Sequence, residues 1–280
     1  MAYKTVLVHF NELDRAEAVL QAGIGIARAH QAHLIGLYVV PRIQYFYAAA
    51  EVQIATEIFE AEEKFYKEQG AAIKAIFERE VPNDLPSEWR LVEGTGPVTV
   101  GIALKHAVCA DIVVTGQINP ERGLEGDVVA PERLVMESGR PVLVVPYAGQ
   151  FTLPPKTVMV AWNATREAAR AAFDALPLLK SAKAVKLLWI NPPDDEKMSR
   201  AMAGTELASA LSRQGVKVEA MRSVGKDIGI GDELLSRAAD HGADMIVMGA
   251  YGHSRLREYV FGGATQHMLQ HMTVPVLLSH

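Results

Sequence analysis

Short, nearly all-apolar runs rich in β-branched residues recur along the chain, separated by longer stretches that mix apolar and charged residues at helical spacing. The second half shows the order most clearly. A strand at TVMVAW (157–162) precedes a helix at TREAARAAFDALPLLKSA (165–182), and AVKLLWI (184–190) follows. A helix from about Glu196 to Gln214, the run VKVEAMRSV, a helix at IGDELLSRAADHG, the strand ADMIVMG (243–249), a glycine-rich loop, a last helix and VPVLLS complete it. Strands that are apolar on both sides and alternate with helices predict a parallel sheet covered on both faces.

The first half repeats this plan. KTVLVHFN (4–11) aligns with KTVMVAWN (156–163) at an offset of 152, ADIVVTG (110–116) with ADMIVMG at 133, and RPVLVVP (140–146) with VPVLLSH (274–280) at 134. The offset falls because the first copy holds extra residues, at about 45–80. There Ile54, Ile58, Phe65, Ile73 and Phe77 are spaced as on one long amphipathic helix, expected to cover a sheet face. The chain is therefore expected to be α/β, with two tandem, doubly wound, five-stranded parallel-sheet domains at 1–148 and 155–280. A Pro/Gly-containing linker, YAGQFTLPP (147–155), joins them. PVLVVP and PVLLS are natural sheet edges, and pairing them within one chain would make an intramolecular pseudo-dimer.

In such sheets ligands sit beyond the carboxyl ends of the strands, where the strand order reverses. The loop after the fourth strand of the second copy reads MGAYGHSRLREYVFGGATQHML (248–269), with the spacing Gly249-x2-Gly252-x9-Gly262-Gly263-Ala264-Thr265. Gly249 and Gly252, following Met248, leave main-chain amides open to a ligand. Gly262 to Thr265 open a helix whose free N–H groups favour an anion. Thr265 could cap that helix or donate to a phosphate, and His253 and Arg255 could supply charge, opposed by Glu258. After the first strand, Ala161, Trp162 and Asn163 stand where an amide could hold ribose or base. After the second, Trp189 and Ile190 could form an apolar wall for adenine. The same glycines could serve only a tight turn. The first copy argues against that: Gly249 corresponds to Gly116, but Gly252 becomes Asn119, Gly262 becomes Val128 and Thr265 becomes Pro131, amid Glu121, Glu125 and Asp127. It makes the same connection without the glycines.

These motifs resemble the universal stress protein family in its tandem form, and the second half is similar to the G-x2-G-x9-G-[S/T] signature of its ATP-binding branch. Gly263 stands where that signature has a hydroxyl, with Thr265 two positions on, and Asn163 stands where the family carries a ribose-contacting aspartate. The resemblance implies a Rossmann-like, adenine nucleotide alpha hydrolase-like fold and ATP with Mg2+ on its phosphates. It further implies a stress-response or signalling role and pairing through the last strand, which extends the expectation to a homodimer.

Composition narrows the alternatives. A net charge of −5 with a pI near 6.0 gives no electrostatic footprint for nucleic acid or an anionic membrane. The N-terminus runs straight into a strand without a leader, no run is long enough to span a bilayer, and a cytoplasmic location is expected. The single cysteine, Cys109, excludes an internal disulfide and reads as a buried, inert thiol near a helix end. Two G-x-G patterns, at Gly23 and at Gly229, do not complete a dinucleotide fingerprint; GHSRL (252–256) lacks the last glycine of a nucleophile elbow; no P-loop is present. His267 and His271 have zinc-compatible spacing but no third ligand nearer than His280, so they read as helix-surface histidines; HQAH (30–33) reads as a helix end and PPDDEK (192–197) as a solvated loop. Three functions follow: a nucleotide-binding regulator, a slow ATP hydrolase using His253 or Glu258, or a nucleotide-free scaffold or small-ligand carrier working through the 45–80 helix.

Overall fold

The computed structural model describes residues 2–40, 52–93, 99–119, 131–192, 204–225, 228–252 and 263–280. The first half runs β1 (Thr5–Phe10), α1 (Ala16–His30), β2 (His33–Val40), α2 (Val52–Glu80), β3 (Ser87–Glu93), α3 (Thr99–Ala107), β4 (Ile112–Gly116), α4 (Pro131–Glu137) and β5 (Val142–Val145). The second runs β6 (Thr157–Trp162), α5 (Arg166–Asp174), α6 (Leu176–Ser181), β7 (Ala184–Ile190), α7 (Thr205–Arg213), β8 (Val218–Ser223), α8 (Ile230–Asp240), β9 (Met245–Gly249), α9 (Gly263–His271) and β10 (Val276–Ser279).

All ten strands form one sheet in the order β3-β2-β1-β4-β5-β10-β9-β6-β7-β8. Each half is parallel and has the same internal order, so the expected α/β architecture of two doubly wound, five-stranded halves holds. The halves meet where β5 and β10 pair antiparallel, with Leu277 opposite Leu143. Val6, Val8, Val158 and Val160 point to one face and Leu7, Val113, Met159 and Ile246 to the other; all are fully buried. Helices α1, α2, α5, α6 and α7 pack on the first face, and α3, α4, α8 and α9 on the second. Both apolar layers run unbroken across the junction of the halves.

Several local expectations are corrected. The helix expected over 165–182 is two helices, because Pro177 in the first turn of α6 has no N–H to continue the α5 ladder. The helix expected from Glu196 begins at Thr205 within the described residues, after Gly204 at φ 82°; 193–203, including most of PPDDEK, lie outside them. His33 is the first residue of β2, not part of a helix end. Cys109 is exposed, not buried. It lies two residues past the end of α3, whose buried row continues through Ala103, Ala107 and Ala110 and passes it by. The long insertion helix is present as α2; 45–51 lie outside the described residues. Its Ile73 and Phe77 are buried, with Phe77 and Trp89 seated over Gly36, where a Cβ would lie 2.6 Å from the Phe77 ring. Phe65, expected on the covering face, is half exposed, while its neighbour Tyr66 packs against the core. Among the described residues no helix is long and apolar enough to cross a membrane.

Candidate functional site

In the second half the strand order reverses between β6 and β9, which are hydrogen-bonded neighbours. The cleft above their carboxyl ends is closed on one side by the first turn of α5. Gly249, the last residue of β9, makes this approach possible: a Cβ there would lie 2.4 Å from the Ala168 amide nitrogen and 2.5 Å from the Glu167 carbonyl carbon. These are main-chain atoms and cannot swing away. Gly249 is thus required by the contact between strand end and helix start, whatever the ligand.

The β6–α5 connection holds itself. Ala164 takes a left-handed backbone at φ 59°. Asn163 Oδ1 accepts from the Thr165 amide at 3.3 Å and from its hydroxyl at 2.9 Å, while Thr165 Oγ1 accepts from Ala168 N at 3.3 Å as the N-cap of α5. The amide oxygen expected to contact ribose or base is therefore engaged in capping a helix.

Beside this cap stands a group that the sequence reading passed over. Glu167 is 4% exposed and its carboxylate is held by Arg166. Its Oε2 is 3.1 Å, and Thr165 Oγ1 3.6 Å, from where a Cβ on Gly252 would sit. Burial alone would raise the Glu167 pKa. The hydrogen bonds from Arg166 and from its own backbone N–H, with the Arg166 charge, outweigh it and hold the carboxyl below its usual range. The glycine assigned to anion contact thus faces a buried negative charge. A second unit charge brought to about 4 Å costs on the order of 4 kcal/mol at an effective dielectric of about 20.

The other expected residues divide by face. Ala161, Ile190 and the buried Met248 lie with Tyr251 on the face carrying α8 and α9. Trp162 packs on the opposite face, against the α1 and α5 layer, and is not brought together with them. Thr265 is buried, and its Oγ1 accepts from the Tyr251 amide at 3.3 Å, tying α9 to the strand end; Gly263 is exposed at the start of α9, with Ala264 half-buried. His253 and Gly262 lie outside the described residues, as do Arg255 and Glu258. His267 and His271 stack with ring centroids 4.3 Å apart, and His267 Nε2 lies 3.0 Å from Asp232 Oδ1. Among the described residues no three His, Cys, Asp or Glu side chains cluster as a metal site.

The corresponding place in the first half is built differently. His9 and Thr115 stand opposite one another on β1 and β4, where Ala161 and Met248 stand in the second half. Both are buried, with His9 Nδ1 3.1 Å from Thr115 Oγ1, and burial pushes the His9 pKa down to about 4. Arg15, which aligns with Glu167 at the offset of 152, reaches across to donate to the carbonyls of Pro146 at 2.8 Å and Gly149 at 3.0 Å. Gln117, just beyond β4, is also buried. Its Nε2 donates to the carbonyls of Leu269 at 2.8 Å and Gln270 at 3.2 Å, and its Oε1 accepts from Tyr147 N at 3.0 Å. One side chain of the first half thus caps the C-terminal end of α9, the helix that opens at the glycines of the second. The offset of 152 between copies was the available signal for the exchange of Arg15 for Glu167. Nothing in the sequence pattern pointed to the reach of Gln117.

Residues 155–280 match the profile of the universal stress protein family. A universal stress protein of Synechocystis sp. is 28% identical over 148 residues, covering 52% of this chain and 49% of the relative, so the chain spans about half the length of that curated relative. A universal stress protein from Archaeoglobus fulgidus DSM 4304 overlays at a TM-score of 0.66 and 15% identity, covering 98% of this chain and 95% of that one. A protein of unknown function from Pseudomonas aeruginosa PAO1 overlays at 0.57 and 15%, covering 99% and 92%. At these identities the likeness to the two structures is one of fold.

Proposed function

Because residues 155–280 match the profile of the universal stress protein family, we propose that this chain is a cytoplasmic stress-response regulator of that family that binds ATP, with Mg2+ on its phosphates, in its second half alone. The observation that carries the reading is the placement of two glycines at the carboxyl end of β9, Gly249 closing the strand against α5 and Gly252 three residues on. They stand beside the reversal of strand order, with α9 opening at Gly263 to offer its free amides. Ala161, Ile190 and Met248 are assigned to the apolar floor under adenine, with Trp162 and Asn163 flanking the β6 end. The loop glycines, His253 and Ala264 are assigned to the phosphates, with Thr265 fixing the start of α9 through the Tyr251 amide. In the first half the polar pair His9–Thr115 and the Arg15 side chain occupy the equivalent floor and cleft, which favours a single site per chain.

Calorimetric titration of ATP with Mg2+ into nucleotide-stripped protein tests this. The companion is a Gly252→Asp, Gly262→Val variant that carries the character of the first half's loop. Binding at one site per chain in the parent, lost in the variant, is expected. No binding to the parent would sink the nucleotide reading and turn attention to α2 as a carrier or partner surface. Phosphate release followed over hours separates regulator from hydrolase: multiple turnovers would make the protein a slow enzyme.

A further inference from the structure

The buried Glu167 carboxylate stands in the first turn of α5, kept ionised by Arg166 and by its own backbone N–H, and one of its oxygens is turned toward Gly252. Acidic side chains in the first turn of other helices complement the dipole from solvent, as Glu206 on α7 and Asp232 on α8 do, or are buried against partners of their own, as Glu233 on α8 is against Ser223 and Arg237. Glu167 is buried under the β9 end, 4% exposed. The architecture does not require a negative charge there, since the first half places Arg15 at the aligned position of the same fold. Burying a charge is costly unless it is paired and hydrogen-bonded. Only Arg166, whose side chain is 83% exposed, offsets it by an ion pair among the described residues, and that pair is largely screened by solvent.

We propose that Glu167 is the specificity-determining residue of the nucleotide site: it admits a nucleotide whose phosphates are neutralised by a divalent cation and turns away the free polyphosphate anion. The inference rests on the nucleotide reading above and names the form of the ligand. A phosphate laid against the Gly252 amide comes close to the carboxylate, and two anions repel at that separation. A Mg2+ ion carried on the phosphates reverses the sign of the encounter, because Mg2+ commonly takes one or two protein carboxylates together with phosphate oxygens and keeps its remaining waters. The donor set fits such an ion: one buried carboxylate, kept ionised by its hydrogen bonds, beside the Thr165 hydroxyl. Thr265, the hydroxyl that could otherwise have served the phosphates, is turned inward to the Tyr251 amide. Affinity for bare phosphate is lowered on both sides of the cleft.

The test is titration of ATP into the parent and into Glu167→Gln, each in millimolar Mg2+ and again in EDTA. The parent is expected to bind ATP at least tenfold more tightly with Mg2+ than without. Glu167→Gln is expected to lose most of that preference, binding Mg2+-free ATP more tightly than the parent does. A variant that keeps the parent's full Mg2+ preference overturns the proposal, since the cation would then act on the phosphates alone. Equal affinity of the parent in the two buffers overturns it without any substitution, so the test survives a variant that fails to fold. If neither protein binds ATP in either buffer, the nucleotide reading itself has failed.

Discussion

The buried imidazole of His9 makes the stability of the first half depend on pH in a direction the structure fixes. It lies fully inside the sheet, 3.1 Å from the Thr115 hydroxyl, with a pKa lowered by burial from 6.5 to about 4. The unfolded chain therefore takes up a proton on this residue before the folded chain does. The stability it contributes is complete above pH 6.5 and is lost as pH falls toward 4. At about 1.36 kcal/mol per pKa unit, the full loss is about 3 kcal/mol, of which about 2 kcal/mol has gone by pH 5. The perturbation is the double variant His9→Ala/Thr115→Val, which installs an apolar pair like the Ala161 and Met248 of the second half and leaves no hydroxyl stranded. Urea unfolding at pH 8 and pH 5 measures both proteins. The parent is expected to lose about 2 kcal/mol more than the variant over this interval, whatever the cavity costs at pH 8, because that cost is common to both conditions. Equal losses would refute the reasoning and mean that His9 is reached by solvent or already charged.

Two further outcomes follow from contacts described above. Gly249→Ala drives a Cβ into the main chain of α5 at 2.4 Å. It is expected to lower stability by about 1–3 kcal/mol, the usual range for overpacking, and to abolish nucleotide binding, read by thermal denaturation and titration. Gln117→Leu strands the Tyr147 amide and two carbonyls of α9. Chemical denaturation should show a loss of about 1–3 kcal/mol, and hydrogen exchange should quicken in α9, in the half that does not contain the substitution.

The layers and the strand order were legible because they rest on local pattern. Val6-Leu7-Val8 and Val158-Met159-Val160 are apolar on both sides, which only a covered parallel strand can use, and the repeated runs carry one topology into the other half. What stayed hidden depends on atoms far apart in sequence. Asn163 was placed rightly at a strand end, but periodicity does not tell that Thr165 would claim its oxygen. Trp162 and Ala161 are adjacent in sequence and so were grouped, yet the pleat sends them to opposite faces. Glu167 sat in plain view as a helix-start acid, and its burial emerges only once Gly249 brings α5 down onto β9. Cys109 was misjudged for a related reason: its neighbours are apolar, but it falls just beyond the helix whose buried face they continue.

The antiparallel seam between β5 and β10 has one more consequence. Were the two sheets halves of separate molecules, the seam would come apart on dilution, and each substitution would appear on both sides of the axis. Joined by a short tether, the partners meet at an effective concentration in the millimolar range. The seam then survives at any abundance of the protein in the cell. Each half is also freed to change by itself. Arg15 can face a carbonyl pair in one cleft while Glu167 faces glycine in the other, a division of labour that no symmetric assembly of identical chains could encode.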